Sequence, residues 1–207
     1  MEVLRQTDVS GNNSELMSLT ENQISDFNKY YEKGCALQKG IILLDGYTPK
    51  SLGFFEKIRA KKALKSFEDA LEIYPESWQS LFFIGKIYQR MREYQKSLSY
   101  IEKAMIYEKD NYVLFQEASL VAMHLNQIEK SIEFSEISIK ISPENFALLG
   151  NHAMNLLVAE KDDEAKQVIE KALSLNPNDT YNRRIKQKIE NVILKKEKRP
   201  TFKNAIG

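Results

Sequence analysis

Cysteine is almost missing from this chain: Cys35 is the only one in 207 residues. An internal disulfide is therefore excluded, and a reducing compartment, the cytoplasm, is the expected location. Histidine is nearly as scarce. His124 and His152 stand alone, 28 residues apart, with no Cys or acidic pair at metal-ligand spacing, so no metal site is expected. Glycine (8) and proline (5) are too few for a turn-rich β fold and suit a chain built of helices. No run of about 18 apolar residues occurs, so no membrane-spanning helix is expected. The opening MEVLRQTDVSGNNSE lacks the basic end and apolar core of a secretory leader. Charge of one sign is missing too: 30 Lys and Arg face 29 Asp and Glu, a formal +1. That balance argues against nucleic-acid binding driven by overall charge. A Gly-rich phosphate loop and a Gly-x-Ser-x-Gly turn are both absent. No enzyme activity, cofactor or small-molecule substrate is expected.

What the chain does have is a rhythm. Residues 1–20 are polar, with Ser10-Gly11-Asn12-Asn13-Ser14, and read as a tail. Ile24, Phe27, Tyr30, Tyr31, Ala36, Leu37 and Ile41 recur at helical spacing and predict a helix over 21–43. Asp45-Gly46, Pro49 and Gly53 then interrupt the pattern, so 44–57 reads as a loop insertion. From 58 to 179 amphipathic helices alternate with short breaks in a 34-residue period. One position carries Ala63, Ser97, Ser131 and Ala165; seven residues on come Ala70, Ala104, Ser138 and Ala172. Near the end of each unit stand Pro75, Lys109, Pro143 and Pro177. Leu81, Phe115 and Leu149 share a phase, as do Ile84, Ala118 and His152. Small residues let two helices approach, and stacked pairs bury a core that one pair alone cannot. Tyr181, Ile185, Ile189, Val192 and Ile193 form a single apolar stripe, the pattern of a capping helix over 180–197. A basic tail over 198–207 follows.

This pattern resembles the tetratricopeptide repeat (TPR). The family's helix-A positions are matched by Leu81, Ile84, Gly85 and Tyr88. Its helix-B positions are matched by Ala63, Phe67, Ala70 and Pro75, and by Ala165, Ile169, Ala172 and Pro177. Lys109 in place of Pro, Ser135 in place of a large apolar residue and Asp162 in place of an aromatic one depart from it. The resemblance implies an all-α, right-handed superhelical solenoid of helix hairpins with a C-terminal capping helix. It also implies a concave groove that binds another protein. The inward positions would be Gln79, Phe82, Phe83, Lys86, Gln89 and Arg90 in one repeat. In the next they would be Gln116, Glu117, Leu120, Met123 and His124, and in the last Asn151 and Met154. Apolar anchors would come from the Phe, Leu and Met side chains and specificity from Lys86, Arg90 and Glu117.

Within the family, co-chaperones grip acidic C-terminal tails with Lys, Asn, Asn, Lys and Arg at five groove positions. Here Phe82, Lys86, Glu117, Ala147 and Asn151 occupy them, or Gln116, Leu120, Asn151, Tyr181 and Ile185 one repeat on. Glu117 would repel a carboxylate, so that clamp is not expected. The expected function is an adaptor or chaperone-like module. An immunity protein or secretion chaperone that neutralises a specific effector is the alternative. Tyr47, Leu52, Phe54 and Phe55 in the insertion form a second candidate contact. Residues 183–207 hold nine Lys and Arg against two acids, which leaves an RNA-associated role open. Cys35 reads as a buried thiol and His152 as a packed core histidine. Asp162, Asp163 and Glu164 read as acids at a positive helix N-terminus.

Overall fold

Thr20, Ser77, Asn111, Asn145 and Asp179 each open a helix by accepting an orphan backbone N–H on a short polar side chain. The structure, a computed structural model, describes residues 19–42 and 51–201. Among these residues all regular structure is helical. The chain divides into two compact units, Met1–Lys109 and Asp110–Gly207.

The first unit holds α1 (Glu21–Gln38), α2 (Phe54–Ile73), α3 (Trp78–Arg90) and α4 (Tyr94–Tyr107). Thr20 and Gln23 cap α1 reciprocally. Ser77 accepts from the Ser80 N–H to open α3. α1 packs on α2, α2 on α3, and α3 on α4. Two glycines permit the close approaches. A Cβ on Gly34 would stand 2.7 Å from the Phe67 ring, and one on Gly85 would stand 2.7 Å from Ile101 Cγ1. The core is aromatic: Phe67 stacks on Phe83 with centroids 5.3 Å apart and meets Tyr31 edge-on at 5.8 Å.

The second unit holds α5 (Tyr112–His124), α6 (Ile128–Ile141), α7 (Phe146–Val158), α8 (Asp162–Leu175) and α9 (Thr180–Ile193). Asn111, Asn145 and Asp179 cap α5, α7 and α9. Successive helices pack in pairs, and α9 covers both α8 and α7. Its stripe of Ile185, Ile189 and Val192 closes a core with Leu149, Ala153, Leu156, Ala165, Ile169 and Ala172. The eight small residues of the repeat are all buried, in both units.

The turns inside the hairpins repeat as strictly as the helices. Arg92, Asn126 and Glu160, 34 residues apart, have φ of 63°, 58° and 64°. Each ends a helix in a Schellman motif: the next N–H reaches back to Tyr88, Ala122 or Leu156 at 2.9–3.0 Å. None is glycine, and only Asn126 has a side chain that favours this conformation.

Four boundaries differ from the sequence reading. The first helix stops at Gln38 rather than 43, because Gly40 turns with φ 75° and Ile41 and Ile42 fold into the core. Arg59 donates to the exposed carbonyls of Leu37 and Lys39 at this end. α2 begins at Phe54, inside the expected loop, because the Glu56 carboxylate accepts the Gly53 N–H at 2.7 Å. α9 ends at Ile193 rather than 197, where Lys195 takes a left-handed turn. Arg199, expected in a solvated tail, forks onto Asp162 at 2.5 and 2.8 Å and donates to the Leu157 carbonyl at 2.7 Å.

Candidate functional site

The expected groove residues of the first unit all lie on α3, and most are sunk into the protein. Gln79, Phe83 and Arg90 are half-buried; Phe82, Lys86 and Gln89 are buried. Phe83 is a core residue stacked on Phe67. Arg90 donates through Nε to the Ile41 carbonyl at 2.7 Å, which ties down the chain after α1. Lys86, expected as an accessible cation, is 1% exposed and is not a free charge.

In the second unit Glu117 is likewise 1% exposed and not free, and Met123 and Met154 are buried. Burying both charges overturns their expected role as accessible specificity groups, since a buried ion must be matched inside the fold. Gln116, Leu120 and His124 on α5 and Asn151 on α7 stay half-exposed. The exposed Tyr181 on α9 donates through its hydroxyl to Asn151 Oδ1 at 3.4 Å. The structure thus brings Tyr181, first seen as part of the capping stripe, beside a predicted contact residue. Its place thirty-four residues after Ala147, itself exposed, was the available signal.

Behind α5 and α7 lies a buried polar chain. Asn155 Nδ2 donates to Ser119 Oγ at 2.9 Å and to Ser135 Oγ at 3.2 Å. Ser119 donates to the Ser131 carbonyl at 2.8 Å, and Ser135 to the Ile132 carbonyl at 2.9 Å. His152 Nδ1 lies 2.7 Å from Ser135 Oγ. Because the Ser135 proton goes to a backbone carbonyl, the set is satisfied with the His152 proton on Nδ1. Burial holds the imidazole below its ordinary value against the opposing pull of Glu136 and Glu164. With Ser135 and His152 both buried, this pair packs a core and is closed to substrate.

The other candidates are quickly placed. Of the insertion residues, Leu52 is buried in the core, Phe54 and Phe55 are exposed, and Tyr47 lies outside the described residues. Cys35 is half-buried, and burial pushes its thiol up. Asp162, Asp163 and Glu164 occupy the first turn of α8, and Arg199 holds the Asp162 carboxyl below the usual range. A cavity of about 650 Å³ beside them is lined by four basic and three acidic side chains, so its charge nearly cancels. Among the described residues no group of three metal-ligating side chains converges, and no helix is long and apolar enough to cross a membrane.

Hairpins of this length, with small residues at two buried positions and a left-handed turn every thirty-four residues, define a helical repeat protein. Residues 79–111 and 149–179 match the tetratricopeptide repeat family, so the chain carries repeats of that family. Its fold is that of the family's solenoids. MamA (residues 41 to the end) from Desulfovibrio magneticus RS-1 is similar over 82% of this chain and 86% of its own, with a TM-score of 0.68 and 11% identity. YrrB, a TPR protein with an unusual peptide-binding site, matches over 70% and 73%, with a TM-score of 0.59 and 17% identity. The first TPR of Spaghetti, bound to an HSP90 peptide, matches over 57% and 94%, with a TM-score of 0.54 and 18% identity. No curated protein matches the chain.

Proposed function

We propose that this chain is a non-catalytic adaptor, chaperone-like in holding an extended segment of a partner protein, and that it works in a reducing compartment such as the cytoplasm. The observation that carries this is the half-exposed surface of the second unit. Gln116 and Leu120 stand one turn apart on α5, and Asn151 is joined to Tyr181 across α7 and α9. Side-chain amides bond a peptide backbone, while a leucine and a tyrosine supply apolar anchors. The peptide-bound Spaghetti repeat and the peptide-binding site of YrrB support a peptide as the occupant. An acidic tail is not the expected occupant here, because Phe82, Ala147 and Asn151 stand where the family's clamp takes Lys, Lys and Arg.

The test is capture by the full chain, followed by titration of the partner identified. The Leu120→Asp/Tyr181→Ala variant should weaken that partner by at least about tenfold without moving the unfolding midpoint. Undiminished binding would take the site off this surface.

A further inference from the structure

One helix face of the first unit sets exposed aromatic side chains beside exposed lysines. Phe54, Phe55 and Ile58 on α2 are 73%, 82% and 41% exposed. The two rings rest on each other, edge to face at 5.6 Å, and belong to none of the unit's core clusters. Lys61 and Lys62, both one turn beyond Ile58, share this face, and Lys57 flanks it; all three are exposed. Ala60, Ala63, Leu64 and Phe67 occupy the opposite side and are buried. Acids are kept away. Glu56 turns back onto the Gly53 N–H, and the next acids, Glu68 and Asp69, come only after Lys65, which pairs with Asp69 at 2.8 Å.

We infer that this face docks the protein reversibly on an anionic lipid surface. Aromatic tips standing proud of a cationic helix side match a bilayer interface, where rings enter the headgroup region and lysines meet phosphate and carboxylate groups. The chemistry disfavours a second copy of the chain, since a symmetric pairing would set these lysines against one another. A rigid protein partner would need a deep pocket for two protruding rings. A fluid surface needs none.

Co-sedimentation of the full chain with vesicles tests this. Phosphatidylcholine vesicles holding about 30 mol% phosphatidylserine should bind at least about tenfold more protein than phosphatidylcholine alone, and added salt should reverse it. Phe54→Ser/Phe55→Ser should lower binding about tenfold, and Lys57→Gln/Lys61→Gln/Lys62→Gln should abolish the preference for anionic lipid. Both sets of side chains are exposed, so far-UV circular dichroism and the unfolding midpoint should stay at the wild-type values. Equal binding by wild type and variants overturns the inference. So does no vesicle binding at low salt; if the same variants then weaken a protein partner, the face belongs to a protein instead.

Discussion

The same repeat position is filled in opposite ways in α2 of the first unit and α6 of the second. In the first it holds Phe67, packed on Tyr31 and Phe83 with Ile84 in the same cluster. In the second it holds Ser135, and the helix that follows supplies His152 where the first unit has Ile84. A ring has given way to a hydroxyl and an aliphatic chain to an imidazole, so the chemistry has changed from ring stacking to a hydrogen-bonded chain. The period fixes where a side chain sits and how much room the layer has. It does not fix what fills that room.

The largest effect that would break this comparison is in the aromatic core. Phe67→Ala should cost about 3–5 kcal/mol, read from urea unfolding, because a ring held by two others leaves a cavity that Gly34 cannot fill. His152→Ala should cost about 2 kcal/mol, since it opens a buried cavity and removes one of the two donors that reach Ser135 Oγ. Converting both partners, as Ser135→Ala/His152→Leu, should recover most of that loss; a double variant no better than the single would show that the polar chain has no apolar equivalent here. The pair also differs in pH response. The folded value of His152 lies below its ordinary 6.5. The unfolded chain therefore takes up a proton first, and stability is lost as pH falls below that value. Glu136 and Glu164 moderate the loss and Lys161 adds to it. Unfolding midpoints measured across this range should fall for wild type and much less for the double variant. The smallest effect is shared by both units. Arg92→Gly and Glu160→Gly should each raise stability by up to about 1 kcal/mol, by removing the left-handed strain of a residue with a Cβ.

The helix pairs and their spacing were legible in the sequence because small residues at Ala63, Ser97, Ser131 and Ala165 are forced by close packing. The turns were not, since Arg92 and Glu160 carry no local preference for a positive φ and are held by the helices on either side. The site was legible only as a face. The family resemblance put Lys86 and Glu117 on the inner side, but a repeat position carries no information about depth, and both are buried. Leu52 misled for a related reason: it lies within a stretch that reads as a loop and as a candidate contact, yet it is buried in the core cluster that holds Ile41. Tyr181 was hidden by its neighbours, whose apolar stripe made the whole helix look like a lid.

Counting onward from Ala165 by one more period lands on Arg199. Every earlier tenant of that slot is an alanine or serine pressed against a neighbouring helix. A guanidinium cannot nest there, and instead it ties the chain to the start of α8 through Asp162. The left-handed residue after α9 also arrives one place late, at 195 rather than 194. Both the small-residue slot and the left-handed turn thus leave the thirty-four-residue register just after α9.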